Sequence, residues 1–252
     1  MSDFGVLSGA TGDEVDRRSQ LGAAIRNSPI PDSELALNLG LYQSRMQLSR
    51  LLLMDRLYRM IVPVHGVIME FGVRWGQNLA LFANLRGMYE PFNYNRKIVG
   101  FDTFAGFPAV SEQDGPAVAA GDYGVVEGYE DYLSTILARH EADSPVAHKR
   151  KFELVVGDAT TSIRTYLDRQ PETVVALAYF DFDVYEPTKA CLEAILPRLT
   201  QGSVLAFDEL NCPEFPGETL AVMETLGLSR YGLRRDPNNP LVSWLVVDDR
   251  QR

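Results

Sequence analysis

Apolar positions along this chain change their spacing several times, and each change marks an element. Between Ser33 and about Val62, Leu35, Leu39, Tyr42, Met46, Leu52, Leu53, Leu57 and Met60 recur mostly at three- and four-residue steps, which predicts helix. Pro63 ends that pattern, and Gly40 is a point where it divides in two. Short unbroken apolar runs then alternate with helical patterns. Strands are predicted at 67–71, 97–101, 152–156, 174–180 and 203–207. Helices are predicted near 77–87, 127–141 and 160–168, from Pro187 onward, and near 217–226. Pro187 suits a first helical position, where the amide hydrogen it lacks would have no partner. Two closing strands, near 230–235 and 241–247, flank the turn Asp236-Pro237-Asn238-Asn239-Pro240 and read as a hairpin.

Strands this uniformly apolar are buried on both faces, and repeated strand-then-helix units build a parallel sheet. The predicted fold is α/β. It is a doubly wound, mostly parallel sheet with an antiparallel C-terminal hairpin and extra N-terminal helices. Residues 1–32, rich in Gly, Ser, Asp and Pro, read as a loosely structured arm with one short helix. That arm either reaches a neighbouring subunit or folds over the site. Residues 33–252 read as one domain with a helical N-terminal cover. The apolar helical segment 35–60 is read as an interface or a substrate-side cover, and either fits a homo-oligomer.

Composition mainly removes options. A net charge of −10 and a pI near 4.8, with no basic stripe, argue against nucleic acid and anionic membrane as partners. No apolar run reaches membrane-spanning length, and the first residues do not form a secretory leader. Two cysteines, Cys191 and Cys212, make no disulfide framework, so a cytoplasmic setting is expected.

The chemistry gathers where strands end. Glu70-Phe71-Gly72-Val73-Arg74-Trp75-Gly76 closes the first strand and opens a helix. Its glycine spacing is neither the dinucleotide fingerprint nor a P-loop, and Glu70 would repel a pyrophosphate. An acid beside such a turn suits a cationic amine, such as the amino-acid end of S-adenosylmethionine; an ordinary strand-to-helix turn with an exposed acid fits equally. Four further strands end in acids, at Asp102, at Asp158, at Asp181 with Asp183, and at Asp208-Glu209. In an open α/β sheet those positions line one rim. Any one of them could be a helix cap; five in succession, one a doublet, are poorly explained that way. Asp102 is placed to accept ribose hydroxyls, and Asp158 to accept the adenine amine. Phe104 and Phe107 either cover the adenine or simply pack.

Asp181, Asp183, Asp208 and Glu209 come from adjacent strands and would repel one another without a cation among them. All-oxygen ligands point to Mg²⁺, or to Mn²⁺ or Ca²⁺, rather than zinc. His65, His140 and His148 are scattered, with His65 at the wrong end of its strand. There is no nucleophile elbow and no Cys–His arrangement.

From Asp181-Phe182-Asp183-Val184-Tyr185-Glu186-Pro187-Thr188 and Phe207-Asp208-Glu209, the chain resembles the macrocin O-methyltransferase (TylF/MycF-like) family, which methylates sugar hydroxyls in natural-product biosynthesis. The likeness runs over roughly residues 45–247 and includes the 70–76 turn, Phe101-Asp102-Thr103-Phe104-Ala105-Gly106-Phe107-Pro108 and Gly157-Asp158-Ala159. It implies a class I methyltransferase (Rossmann-like) fold, S-adenosylmethionine as donor with S-adenosylhomocysteine as product, a divalent metal, usually Mg²⁺, and a sugar-containing small-molecule acceptor. The donor would lie against Glu70, Phe71, Gly72, Trp75, Gly76, Asp102, Thr103, Phe104, Asp158, Ala159 and Asp181. The metal ligands would be Asp181, Asp208 and Glu209. The family commonly carries Asp-Asp at the last pair, and here the second arm is longer. Asp181 is also a candidate base, and Asp183 an outer acid or substrate contact. The loop from about 109 to 126 reads as a lid or as a surface insertion. A metal-dependent catechol or phenolic O-methyltransferase and a non-catalytic nucleoside-binding or assembly protein are the alternatives; an NAD-linked oxidoreductase lacks its glycine fingerprint.

Overall fold

The computed structural model describes residues 4–6 and 10–248 of the chain. Its centre is a seven-stranded sheet of β1 (Val67–Phe71), β2 (Ile98–Asp102), β3 (Phe152–Val156), β4 (Val175–Phe180), β5 (Leu199–Phe207), β6 (Arg234–Arg235) and β7 (Ser243–Val246). The strand order is β3-β2-β1-β4-β5-β7-β6. β1 to β5 are parallel; β7 runs antiparallel beside β5, and β6 antiparallel beside β7. The order reverses between β1 and β4, and in such sheets the crevice outside the carboxyl ends at that point takes the ligand.

Eight α-helices accompany the sheet among the described residues: α1 (Gly12–Arg26), α2 (Asp32–Leu35), α3 (Arg45–Ile61), α4 (Gln77–Tyr89), α5 (Tyr129–Ala142), α6 (Ala159–Arg169), α7 (Tyr185–Ile195) and α8 (Pro216–Thr225). α3, α4 and α5 supply Leu57, Phe82 and Leu137 to the core on one face. α6, α7 and α8 supply Ile163, Cys191 and Val222 to the core on the other. Side chains alternate along a strand. So Met69 and Phe71 of β1 enter the α6–α8 core, while Ile68 enters the α3–α5 core and Glu70 turns the same way.

The strand ends are brought level by a row of four phenylalanines. Phe71 is in register with Phe101 and Phe180, and Phe180 with Phe207. Their rings stack at centroid distances of 5.0, 4.7 and 5.2 Å across β2, β1, β4 and β5. Offset stacking of this kind adds to the apolar burial of each ring. The next residue in each strand is Gly72, Asp102, Asp181 or Asp208. Backbone pairing continues one step past the rings, with the Gly72 amide donating to the Phe101 carbonyl, Asp181 to Phe71 and Asp208 to Phe180. The three acids and the glycine therefore stand at one height.

Several elements differ from the sequence expectation. The one helix expected in the 1–32 arm, α1, runs for four turns and fills about half of it. Its start is held by Glu14, whose carboxylate accepts from the Thr11 amide at 2.9 Å and hydroxyl at 3.1 Å. The N-terminal helical pattern breaks over a 3₁₀ segment, Ala36–Tyr42, instead of at Gly40 alone. α7 starts at Tyr185, two residues before Pro187, which still lies in the first turn where amide hydrogens have no partner in the helix. The closing hairpin is reduced to two residues in β6, which follows a 3₁₀ turn at Leu228–Arg230. No helix among the described residues is long and apolar enough to cross a membrane.

Candidate active site

A cavity of about 330 Å³ opens at the carboxyl ends of β1, β2, β4 and β5. Gly72, Asp102, Thr103, Asp158, Ala159, Asp181, Asp183, Asp208 and Glu209 line it, as do Arg50, Arg74, Phe107 and Tyr123. Glu70, Phe71, Trp75, Gly76 and Phe104 lie outside its lining. Phe71 is sealed in the ring stack, and Phe104 packs into the α3–α5 core, so of the two loop aromatics Phe107 is the one that walls the cavity. Trp75 packs edge-on against Tyr129. Gly76 caps α4 at φ 75°, and a Cβ there would meet the Leu133 side chain at 2.3 Å, so that glycine serves helix packing. His65 precedes β1 at the far end of the sheet.

Asp102 organises the first turn. One oxygen accepts from the Val73 and Arg74 amides at 2.6 and 2.7 Å, and the other from the Phe104 amide at 2.6 Å. Three accepted bonds leave a carboxylate about one further acceptor direction, and Asp102 lines the cavity. Asp158 does act as a helix cap: Oδ1 accepts from the Thr160 amide and hydroxyl at 2.9 and 2.8 Å. Its residue also lines the cavity, so capping and lining go together here.

Glu70 is 1 % exposed and faces α4, where Oε1 accepts from Asn78 at 3.0 Å. Oε2 has no hydrogen-bond partner among the described residues. Burial pushes the Glu70 carboxyl up to about 8, against the Asn78 bond and the Arg50 charge, which favour ionisation.

The acids of β4 and β5 form the cluster the sequence predicts. Carboxylate oxygens of Asp181, Asp208 and Glu209 lie within 4.8 Å of one another. Ligands held 2.0–2.6 Å from a Mg²⁺ or Ca²⁺ ion stand up to about 5 Å apart, so the set fits such an ion, and the longer Glu209 arm reaches it. Burial and the neighbouring Asp208 charge hold the Asp181 carboxyl well above the usual carboxylate range, with Arg50 opposing. Burial likewise raises Asp183, Glu209 and Glu218. Asp183 sits at φ 63°, a strained backbone for a residue other than glycine, and its carboxyl meets that of Glu209 at hydrogen-bonding range. Glu218 of α8 is fully buried, accepting from the Glu209 amide at 3.2 Å while Oε2 finds no donor among the described residues. The cavity lining gathers more carboxyl groups than guanidinium groups.

The acid cluster's protein counter-ion is Arg50, which motif reading passes over. Alternation along the strands directs Glu70, Tyr179 and Asp208 to the α3–α4 face, and Arg50 descends from α3 onto them. One terminal nitrogen donates to both Asp208 oxygens at 3.1 and 3.0 Å. The other donates to the Tyr179 hydroxyl at 3.2 Å and lies 4.0 Å from Asp181 Oδ2. Tyr179 itself donates to Asp208. A signal did exist: Arg50 stands four and seven residues before Met54 and Leu57, on the stripe by which α3 meets the sheet. Arg74 is a second cation in the wall, its guanidinium 5.1 Å from the Tyr123 ring centroid.

The segment read as a lid or an insertion is anchored. Asp114, 1 % exposed, accepts from the Tyr185 amide at the start of α7 at 2.6 Å and from the Ser111 amide at 2.6 Å. Tyr123, farther along, packs on Phe107.

No protein-family model and no curated protein matches the chain. Solved structures do. The crystal structure of CalS11, calicheamicin methyltransferase, is 46 % identical over 98 % of this chain and 97 % of that one, with a TM-score of 0.91. The apo structure of CalS11, a TDP-rhamnose 3′-O-methyltransferase of calicheamicin biosynthesis, is 44 % identical over 97 % and 99 % with a TM-score of 0.85. The O-methyltransferase NovP, at 17 % identity, 79 % and 80 % coverage and a TM-score of 0.56, shares the fold. Near-complete coverage at this identity, on a sheet whose strand ends carry the motif residues, means that the chain belongs to the macrocin O-methyltransferase (TylF/MycF-like) family and is a methyltransferase.

Proposed function

We propose that the protein transfers the methyl group of S-adenosylmethionine to a sugar hydroxyl of a nucleotide sugar or natural-product glycoside, assisted by a divalent ion. The observation that carries this reading is the convergence of the glycine turn and the acids of β2 to β5 on one cavity. The CalS11 likeness supports a nucleotide-linked sugar as the acceptor class.

The donor half lies toward β1, β2 and β3. Asp102 has one acceptor direction left for a ribose hydroxyl, and Asp158 one oxygen free of its cap for an adenine amine. Glu70 has an orphaned buried oxygen whose charge a cationic amine would stabilise. The acceptor half lies toward β4 and β5. Asp181, Asp208 and Glu209 would hold Mg²⁺, with Mn²⁺ or Ca²⁺ as substitutes. When bound, the ion supplies a Lewis acid that lowers the pKa of the acceptor hydroxyl. Asp181, partly open to the cavity, is the carboxylate placed to take the hydroxyl proton. Attack by a developing alkoxide on a sulfonium disperses charge, so the chain contributes mainly alignment and exclusion of water. Phe107 and Tyr123 wall the cavity for that purpose. The leucines exposed between residues 37 and 52 support a homo-oligomer, which sedimentation velocity checks.

Calorimetric titration with S-adenosylhomocysteine, with and without Mg²⁺, tests the donor site. A screen of nucleotide-linked deoxysugars, glycosides and catechols tests the acceptor. Micromolar binding and turnover of a nucleotide sugar are expected. Absence of binding under both conditions removes the donor assignment, and turnover of catechols alone replaces the sugar reading.

A further inference from the structure

Resting on the metal reading above, we infer that Arg50 is a tethered cation that occupies the ion's position among the carboxylates and must leave Asp208 before a divalent ion can bind. The geometry points this way in three respects. The Arg50 nitrogen near Asp208 is equidistant from both oxygens, at 3.0 and 3.1 Å, and so covers the front of the carboxylate. The second terminal nitrogen faces Asp181, 4.0 Å from Oδ2, so the guanidinium lies on the side from which an ion would bridge the two acids. An ion coordinated by both would approach each oxygen to about 2.0–2.6 Å, inside the space the guanidinium fills. Like charges at that range also repel.

The movement falls to the side chain. α3 is fastened next to Arg50 by Ser49, whose hydroxyl donates to the Asn238 carbonyl at 2.7 Å, and nearly two turns on by the Arg56–Asp236 ion pair at 2.6 Å. The backbone holds station while a long, rotatable arm swings into the cavity that Arg50 already lines. Arg50 thereby stabilises the cluster by itself and sets a threshold for metal loading. A protein whose competent state is only fractionally populated binds its ligand more weakly by that fraction.

The test is Mn²⁺ binding to the full chain without donor or acceptor, followed by electron paramagnetic resonance, for the wild type, Arg50→Met and Arg50→Gln. Both substitutions remove the competing charge, and both are expected to tighten Mn²⁺ binding about ten- to a hundredfold, the range of charge-assisted hydrogen bonds. Binding equal to or weaker than wild type overturns the inference alone, because it makes Arg50 an outer support of Asp208. No Mn²⁺ binding by any of the three overturns the metal reading and this inference with it. A second measurement needs no folded variant. In the wild type, side-chain nitrogen resonances of Arg50 are expected to lose their restricted rotation as Mg²⁺ is added. Unchanged resonances at saturating Mg²⁺ overturn the inference.

Discussion

Gly72 and Asp181 touch through their backbones: a Cβ built on Gly72 would lie 1.9 Å from the Asp181 carbonyl oxygen. Gly72 also sits at φ 91°, where a side chain is strained whatever the space. The glycine of the first turn is thus required for β1 and β4 to meet at the switch point, before any ligand is considered. Gly72→Ala is expected to cost at least about 3 kcal/mol, since neither the φ nor a backbone carbonyl can yield cheaply. Urea unfolding checks this; a loss below about 1 kcal/mol would mean the turn can re-form around a methyl group.

If Glu70 holds the donor amine as proposed, it ties stability to donor binding with opposite signs. Its folded pKa, near 8, lies above the ordinary carboxylate value, so the fold holds a proton that the unfolded chain releases between about pH 4.5 and 8. Stability from this group is full at low pH and is lost as pH rises through that window. Glu70→Gln removes the dependence. Its melting temperature is expected to gain on the wild type by at least about 3 °C between pH 5 and pH 8.5, the response to roughly 1 kcal/mol in a domain this size. S-Adenosylhomocysteine binding should move the other way, strengthening with pH in the wild type and staying weak and flat in the variant. A constant gap in melting temperature across that range would remove the buried-acid account.

Asp114 holds the segment between Phe107 and α5 onto the start of α7. Asp114→Ala leaves the buried Tyr185 amide without its acceptor and frees the Ser111 turn. The expected cost is about 2 kcal/mol, the scale of losing a charged acceptor at a helix start. Limited proteolysis should newly cut between residues 112 and 126. A variant as resistant as the wild type would show that the ring contacts of Tyr123 suffice to hold the segment.

What the sequence made legible follows from what is local. The strands, their parallel direction and the five strand-end acids could be read because each is an apolar run followed at once by its polar residue. The repeated pair of Phe followed by Gly or Asp, at 71–72, 101–102, 180–181 and 207–208, was in view, and its meaning as a levelling row appears once register is known. Arg50 was not found because its role depends on alternation in three strands contributed by distant segments. The one helix expected in the arm could not be placed or sized, because the cap of α1, Thr11 with Glu14, precedes no apolar run: no residue of that helix is buried. The roles of Phe104 and Trp75 turn on side-chain direction, which spacing in a loop does not determine.

Asp181 separates the two halves of the proposed reaction. It stands at the switch point, between the donor-side turn at Gly72 and the acceptor-side acids, and it belongs to the cluster with Asp208 and Glu209. Asp181→Asn keeps the shape and the amide bond to Phe71 while removing one charge from the cluster and the group read as base. Turnover should fall at least about a hundredfold, the scale of losing one preorganised electrostatic group. S-Adenosylhomocysteine should bind within a few-fold of wild type, because Asp102, Asp158 and Glu70 are unchanged, while Mn²⁺ binding weakens. The joint pattern matters. Loss of both ligands would make Asp181 a structural support of the whole cleft. Near-normal turnover would remove the metal-assisted mechanism, because no other carboxylate in the cluster both faces the cavity and borders the donor turn.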